Sequence, residues 1–458
     1  MSKRNFILLI IIIVIAIIAL FGYFYFNQGN NTPGEDNTGT NFISQFNPFS
    51  KNTTNPPTNT TPPIDISGND ELNPTSIDIT VKLKKISSMP IAGFIVFSKE
   101  RLKDVPVVVP EAVPATDSTI PPTTTTKKTT KPTPPQTEFM PALRYVDRAT
   151  GNIYQTFADK IEEKQFSTTI IPKVYEAFFG NKGQSVVMRY LKSDAKTIIT
   201  FVGTLPKEVF GGDTAGGNEI KGTFLPENIK DLSLSSDSNN IFYMFLSGNN
   251  LGDGVIGTTF NLLNVKKIQV FDSPFTEWLS SFPNNKMITF TTKPSSQIPG
   301  YMYTMDPSNK NYNFHKMLGG INGLTTLISP NGKLVLYSND NLSLNIYHTD
   351  TKVSDTLGVK TLAEKCVWNK TSDVVYCGVP KSIENSQYPD SWYQGEVSFG
   401  DQIWKINIKT GNTTMIADPV TINGGEDIDS TKLALDDGEN YLFFVNKKDS
   451  FLWELGLK

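Results

Sequence analysis

Few residues in this chain combine the type and the spacing that chemistry needs. Cys366 and Cys377 stand eleven residues apart in AEKCVWNKTSDVVYCGV. With a turn centred on Thr371 and Ser372, they fall opposite each other on adjacent antiparallel strands. Opposed Cα atoms there are about 4.5–5.5 Å apart, within the range a disulfide spans. A disulfide is the expectation, and two buried thiols acting as small apolar side chains are the competing reading. No histidine or further cysteine lies near them, so no metal pair is expected. The two histidines, His315 and His348, sit in no nucleophile motif, and no G-x-S-x-G occurs. His348 follows Tyr347 in NIYHTD and reads as an ordinary strand residue. The glycines from Gly211 to Gly217 lack the strand-turn-helix context of a phosphate loop, so no cofactor site is expected. Gly424–Asp429 reads GGEDID and gathers Glu426, Asp427 and Asp429. It departs from the EF-hand spacing and reads as an acidic loop, with a Ca²⁺ site the lesser alternative. Tyr388, Trp392 and Tyr393 fall in the polar insertion 381–401. They form the candidate binding loop, since exposed rings suit glycan stacking or a protein partner. Rings folded back over the edge of their own sheet are the competing reading.

The elements that must position these residues repeat. Residues 327–351, LISPNGKLVLYSNDNLSLNIYHTDT, read as strand, tight turn, strand, turn, strand. Pro330 presets φ, and Asn331 and Gly332 tolerate positive φ. The strand that follows alternates as a half-buried strand does. Looser copies carry turns at Gly183, Asn239, Asn285, Gly332, Ser372 and Gly438, each followed by an apolar strand such as SVVMRY, IFYMF, MITFTT, KLVLYS, VVYCGV or YLFFVN. A spacing of about 40–66 residues, with four short strands in each unit, marks a β-propeller. An additional unit at 91–157 brings the count to seven. It is interrupted by the Pro/Thr-rich insertion 104–138, a low-complexity stretch. The last unit has room for three strands only. The lone strand near 76–87 is expected to complete it and to close the ring, which leaves no long sheet edge unpaired. The expected fold class is therefore all-β, a propeller of seven blades with four antiparallel strands each. The alternative is a β-sandwich with long loops.

The amino end has a different composition. Residues 6–26, FILLIIIIVIAIIALFGYFYF, carry no charge. At about 1.5 Å per residue they span roughly 32 Å as a helix, a bilayer thickness. Lys3 and Arg4 precede the run and Glu35 and Asp36 follow it, which places residues 1–5 in the cytoplasm and the rest outside. A cleaved signal peptide is the rival reading, but its apolar region is shorter and no A-x-A site follows. Residues 27–75 are Asn, Thr, Pro and Gly with few large aliphatics, and they read as a disordered linker. As a flexible tether it would reach on the order of 35–40 Å. The 458 residues carry a net charge of −3, so nothing points to nucleic acid, whose binders usually show a basic patch.

The stretch SPNGKLVLYS at 329–338, followed by a hairpin ending in Asp350–Thr351, resembles the WD-like repeats of bacterial envelope propellers, including the periplasmic propeller of the Tol system. The resemblance spans residues 76–458, without the Gly-His and Trp-Asp signature of true WD repeats. It implies a structural repeat and hence a fold, and it transfers no functional residue. Together with the anchor, it implies a single-pass, membrane-anchored extracytoplasmic propeller. Its expected partners are the lipid bilayer, through residues 6–26, and an envelope protein or wall glycan. With no catalytic motif found, the first expectation is a non-enzymatic binding scaffold. An envelope enzyme, a glycan or peptide hydrolase or lyase with carboxylates on the propeller face, is the second. A cell-surface spacer is the third.

Overall fold

The computed structural model describes residues 82–103, 136–208, 218–248, 254–309 and 314–458. The expectations for the segment 6–26, the linker, most of the insertion 104–138 and the glycines at 211–217 lie outside those residues. Residues 77–458 form one compact unit. Seven four-stranded antiparallel sheets make it up, in sequence order from the inner strand to the outer one. Blades one to six span residues 91–165, 174–224, 231–273, 278–322, 325–360 and 366–417. Blade seven takes three strands from 430–456 and its outermost strand from Leu83–Lys85, which pairs Leu83 with Leu455 and Lys85 with Trp453. The ring thus closes as the sequence requires, and the sandwich alternative falls. The closing strand is three residues long, shorter than the twelve-residue stretch read from the sequence, six of whose residues lie outside those described.

Each blade hides one face against the next. Apolar clusters fill all seven interfaces, from Ala92, Val146 and Met188 between blades one and two to Ile91, Tyr145 and Phe443 between blades one and seven. A sheet buried on both faces explains the continuous apolar runs of the second strands, such as YLFFVN.

The repeat grammar has a physical basis in one turn built four times. Its first residue, Ser235, Ser329, Asn369 or Asp436, accepts a hydrogen bond on its side-chain oxygen from the backbone N–H five residues on, at 2.9, 3.0, 3.1 and 2.7 Å. The backbone N–H of that first residue donates in return to the carbonyl five residues on. The fourth residue is left-handed in every copy, with φ of 58°, 73°, 61° and 52° at Ser238, Gly332, Ser372 and Glu439. Short polar side chains that mimic a backbone turn, with one residue at positive φ, are what such a bend needs. Within each blade, the first and third turns lie at one end of the propeller and the second turn at the other. That division decides where the insertions go.

Candidate functional site

Cys366 and Cys377 pair in register across the two inner strands of blade six and form a disulfide, with Cα atoms 4.0 Å apart. They pack with Leu336, Trp368 and Val375 at the interface with blade five. The bond is part of the core and faces no cleft.

The insertion after the second strand of blade six folds over the blade-five turn at Leu342 and the link at Leu362 between blades five and six. Tyr388 and Trp392 are each only 3% exposed and pack with Leu342, Leu362, Val397 and Phe399. Tyr393 alone of the three is open, at 40%, and donates its hydroxyl to Glu364. The three rings therefore form no exposed stacking platform. The apolar side chains Val397 and Phe399, which follow in the same insertion, draw it inward. The carboxylates of GGEDID diverge as well. Glu426 pairs with Lys85 at 2.7 Å, Asp427 with Lys448 at 2.5 Å, and Asp429 turns into the core towards Lys365. Among the described residues no cluster of three or more His, Cys, Asp or Glu could hold a metal ion. His348 lies 3.2 Å from Asp355 on the neighbouring strand, and His315 is an exposed residue of an outer strand.

A large cleft lies elsewhere, at the end of the propeller that carries the first and third turns. It measures about 730 Å³, within the range of ligand sites. The inner pair of blade one, Ile91–Leu102 and Thr137–Asp147, is longer than any other pair and stays hydrogen-bonded out to Leu102 and Thr137. It forms one wall, with Lys99 and Arg101. The third turn of blade one supplies Lys160 and Glu163, and Glu208 enters from the third turn of blade two.

A buried arginine organises the cleft floor. Arg144 has no exposed surface. Its Nε donates to Gln155 Oε1 at 2.7 Å, its Nη1 to the Gly183 carbonyl at 2.6 Å and its Nη2 to Glu208 Oε2 at 2.9 Å. Its guanidinium stacks 4.1 Å from the Phe166 ring. Burying such a cation is tolerable only with this degree of pairing. The other oxygen of Glu208 accepts from Gln155 Nε2 at 3.0 Å and pairs with Lys99. Burial pulls the Lys99 amine below its ordinary pKa, against the opposing pull of Glu208. Elsewhere in the lining, Glu163 Oε1 accepts from the Tyr145 hydroxyl at 2.6 Å and the Ser88 N–H at 2.9 Å. An amine of lowered pKa in contact with a held carboxylate in a cleft is a general acid–base arrangement. At the rim, Arg101 is held bidentate by Asp159, and Lys160 pairs with Glu162 at 3.4 Å.

None of these residues belongs to a motif, because they come from three turns and two blades. The signal the sequence did give was loop length. Leu102 and Glu208, which line the cleft, lie just before the insertion 104–138 and the glycines at 211–217.

No protein-family model matches the chain, and no curated protein matches it by sequence. Solved structures do match in fold. An oligogalacturonate lyase from Vibrio parahaemolyticus aligns with a TM-score of 0.45 and 9% identity over 69% of this chain and 86% of the other. An oligogalacturonate lyase in complex with manganese aligns with a TM-score of 0.43 and 9% identity over 69% and 85%. Both carry the name of an enzyme, and the expectation that this chain is not one, which rested on a missing motif alone, is corrected: the absence of a motif is no evidence against catalysis. At this identity the likeness is one of fold, and no residue is carried across.

Proposed function

We propose that the chain is a membrane-anchored propeller of the cell envelope that binds and acts on an acidic or hydroxyl-rich polymer, a glycan first, at the cleft of blades one and two. The anchor is residues 6–26, and the propeller stands outside the cytoplasm on the linker 27–75. One observation carries the reading: Lys99 and Glu208 meet in a ligand-sized cleft whose lining also includes Glu163, Arg101 and Lys160. The lining holds Lys99, Arg101, Lys160 and Lys164 against Glu100, Glu162, Glu163 and Glu208, so it offers the polymer both donors and acceptors of hydrogen bonds. The Lys99–Glu208 pair moves a proton to or from the reacting sugar, and Arg144 holds Glu208 in position from below.

Full-length protein in detergent, incubated with a panel of acidic and neutral polysaccharides and wall polymer, tests this directly. Release of soluble fragments is the expected outcome, together with a fall of about 10²–10⁴-fold in kcat for Glu208→Gln. Polymers neither bound nor cleaved by the wild type, or cleavage unchanged in Glu208→Gln, would remove the site.

A further inference from the structure

The tightest concentration of buried charge lies outside the cleft, between blades six and seven. Lys365, Asp401 and Asp429 meet there with no exposed side-chain surface. They come from three separate segments. Lys365 ends the 3-10 turn Ala363–Lys365 that leads into blade six, Asp401 opens the strand Asp401–Asn407, and Asp429 precedes the inner strand of blade seven, Ser430–Leu435. Lys365 Nζ lies 2.8 Å from Asp401 Oδ2 and contacts Asp429 Oδ1. The rings of Trp392 and Phe399 face the amine at 5.3 and 5.2 Å.

The two carboxylates are held differently. Asp429 Oδ2 accepts three hydrogen bonds, from Trp392 Nε1 at 2.9 Å, the Phe399 N–H at 3.1 Å and Ser398 Oγ at 3.2 Å. Its Oδ1 is the oxygen turned to the amine. Asp401 Oδ2 accepts from the N–H and the hydroxyl of Ser430, both at 2.7 Å, while Asp401 Oδ1 is buried without a partner. One cation and two anions in a dry aromatic pocket are expensive to keep ionised. An amide between the amine and one carboxyl would abolish two of the three charges.

From this geometry we infer that Lys365 and Asp429 join in a side-chain amide, an isopeptide crosslink that ties the start of blade six to the start of blade seven. The Lys365 ammonium passes one proton to the Asp429 Oδ1 that it contacts, which makes that carboxyl neutral and open to attack. The free amine then attacks Asp429 Cγ, and the C–N bond forms. The charge that develops in the tetrahedral intermediate falls on Oδ2, where three donors already point, as in an oxyanion hole. The nitrogen gives its extra proton to Asp401 Oδ2, Asp401 hands it to Oδ1, and the Cγ–Oδ1 bond breaks as that oxygen departs as water. Atoms and charge balance with no oxidant or co-substrate. Asp401 ends as it began, a carrier whose Oδ2, 2.8 Å from the amine, takes the proton and gives it up again. Burial pushes its carboxyl above the ordinary aspartate range, against the pull of Lys365, which suits that role.

Mass spectrometry of the full-length protein, purified in detergent with the disulfide reduced, reads the bond. The expected mass is one water below the sequence, and proteolysis should yield a Lys365 peptide linked to an Asp429 peptide. Lys365→Arg, checked for fold by circular dichroism, should return to its full sequence mass. Asp429→Asn should still crosslink, with loss of ammonia in place of water. Asp401→Asn should leave the bond unformed, and a crosslink that persists there would overturn the role of Asp401. Wild-type protein at its full sequence mass, or a link made to Asp401 instead, would overturn the proposal.

Discussion

Glu454 is a carboxyl in the wrong place for an ion. It is 1% exposed, its Oε2 has no partner, and Lys84 is 4.0 Å away. Burial pushes it up to about 7 from an ordinary 4.5. Its folded pKa is therefore raised above the unfolded one. Between those values the folded chain keeps a proton that the unfolded chain has released, so stability falls as pH rises through the window and the loss is complete above about 7. Glu454→Gln should stabilise the protein by about 2 kcal/mol at pH 8 and change little at pH 4, as read by denaturant unfolding at both pH values. The disulfide acts through the unfolded chain instead. Closing so short a loop contributes about 2–3 kcal/mol. Replacing Cys366 and Cys377 together by alanine should lower the melting temperature in oxidising buffer and abolish its response to reductant.

At the scale of the element, the ring depends on two features. The first is its clasp. Leu83 is 6% exposed, and Lys85 lies 4.8 and 5.0 Å from the rings of Phe451 and Trp453. Three residues thus cover the last sheet edge. A chain begun at residue 82 should match one begun at residue 77 in stability. A chain begun at residue 87 should lose at least about 2 kcal/mol from Leu83 alone and gain a tendency to associate through the bared edge. Comparing the three by thermal unfolding and light scattering checks this. The second is the close approach of inner strands. A Cβ on Gly93 would stand 1.9 Å from the Ala177 carbonyl oxygen of blade two. Backbone cannot yield there, so Gly93→Ala should destabilise by more than the turn substitution Ser329→Ala, which removes two hydrogen bonds, from the Leu334 N–H and to Asn331 Oδ1, at about 1 kcal/mol each.

At the scale of the whole molecule, the proposed topology places all chemistry outside the membrane on a tether. Protease added to intact cells should then remove the propeller and leave residues 1–26 with the membrane. Protection of the propeller until the cells are lysed would reverse the orientation. The cleft and the Lys365 cluster lie at opposite ends of the propeller, so the Glu208 and Lys365 variants should act independently, and the double variant should combine their effects.

Sequence alone determined what is local and periodic. A turn of six residues is written in six consecutive positions, so Ser329–Leu334 and its copies announced themselves, and with them the strands, the blade count and the strand that closes the ring. The opposition of Cys366 and Cys377 was legible for the same reason, since a short hairpin fixes its own register. Tertiary structure decided everything that joins residues far apart in the chain. Arg144 and Glu208 are 64 residues apart, as are Lys365 and Asp429. No periodicity records such a meeting, because it depends on how whole blades stack. The fate of Tyr388 and Trp392 was open for a related reason. An aromatic ring is equally suited to a ligand and to a core, and only the apolar surface left uncovered by Leu342 and Leu362 drew these two inward.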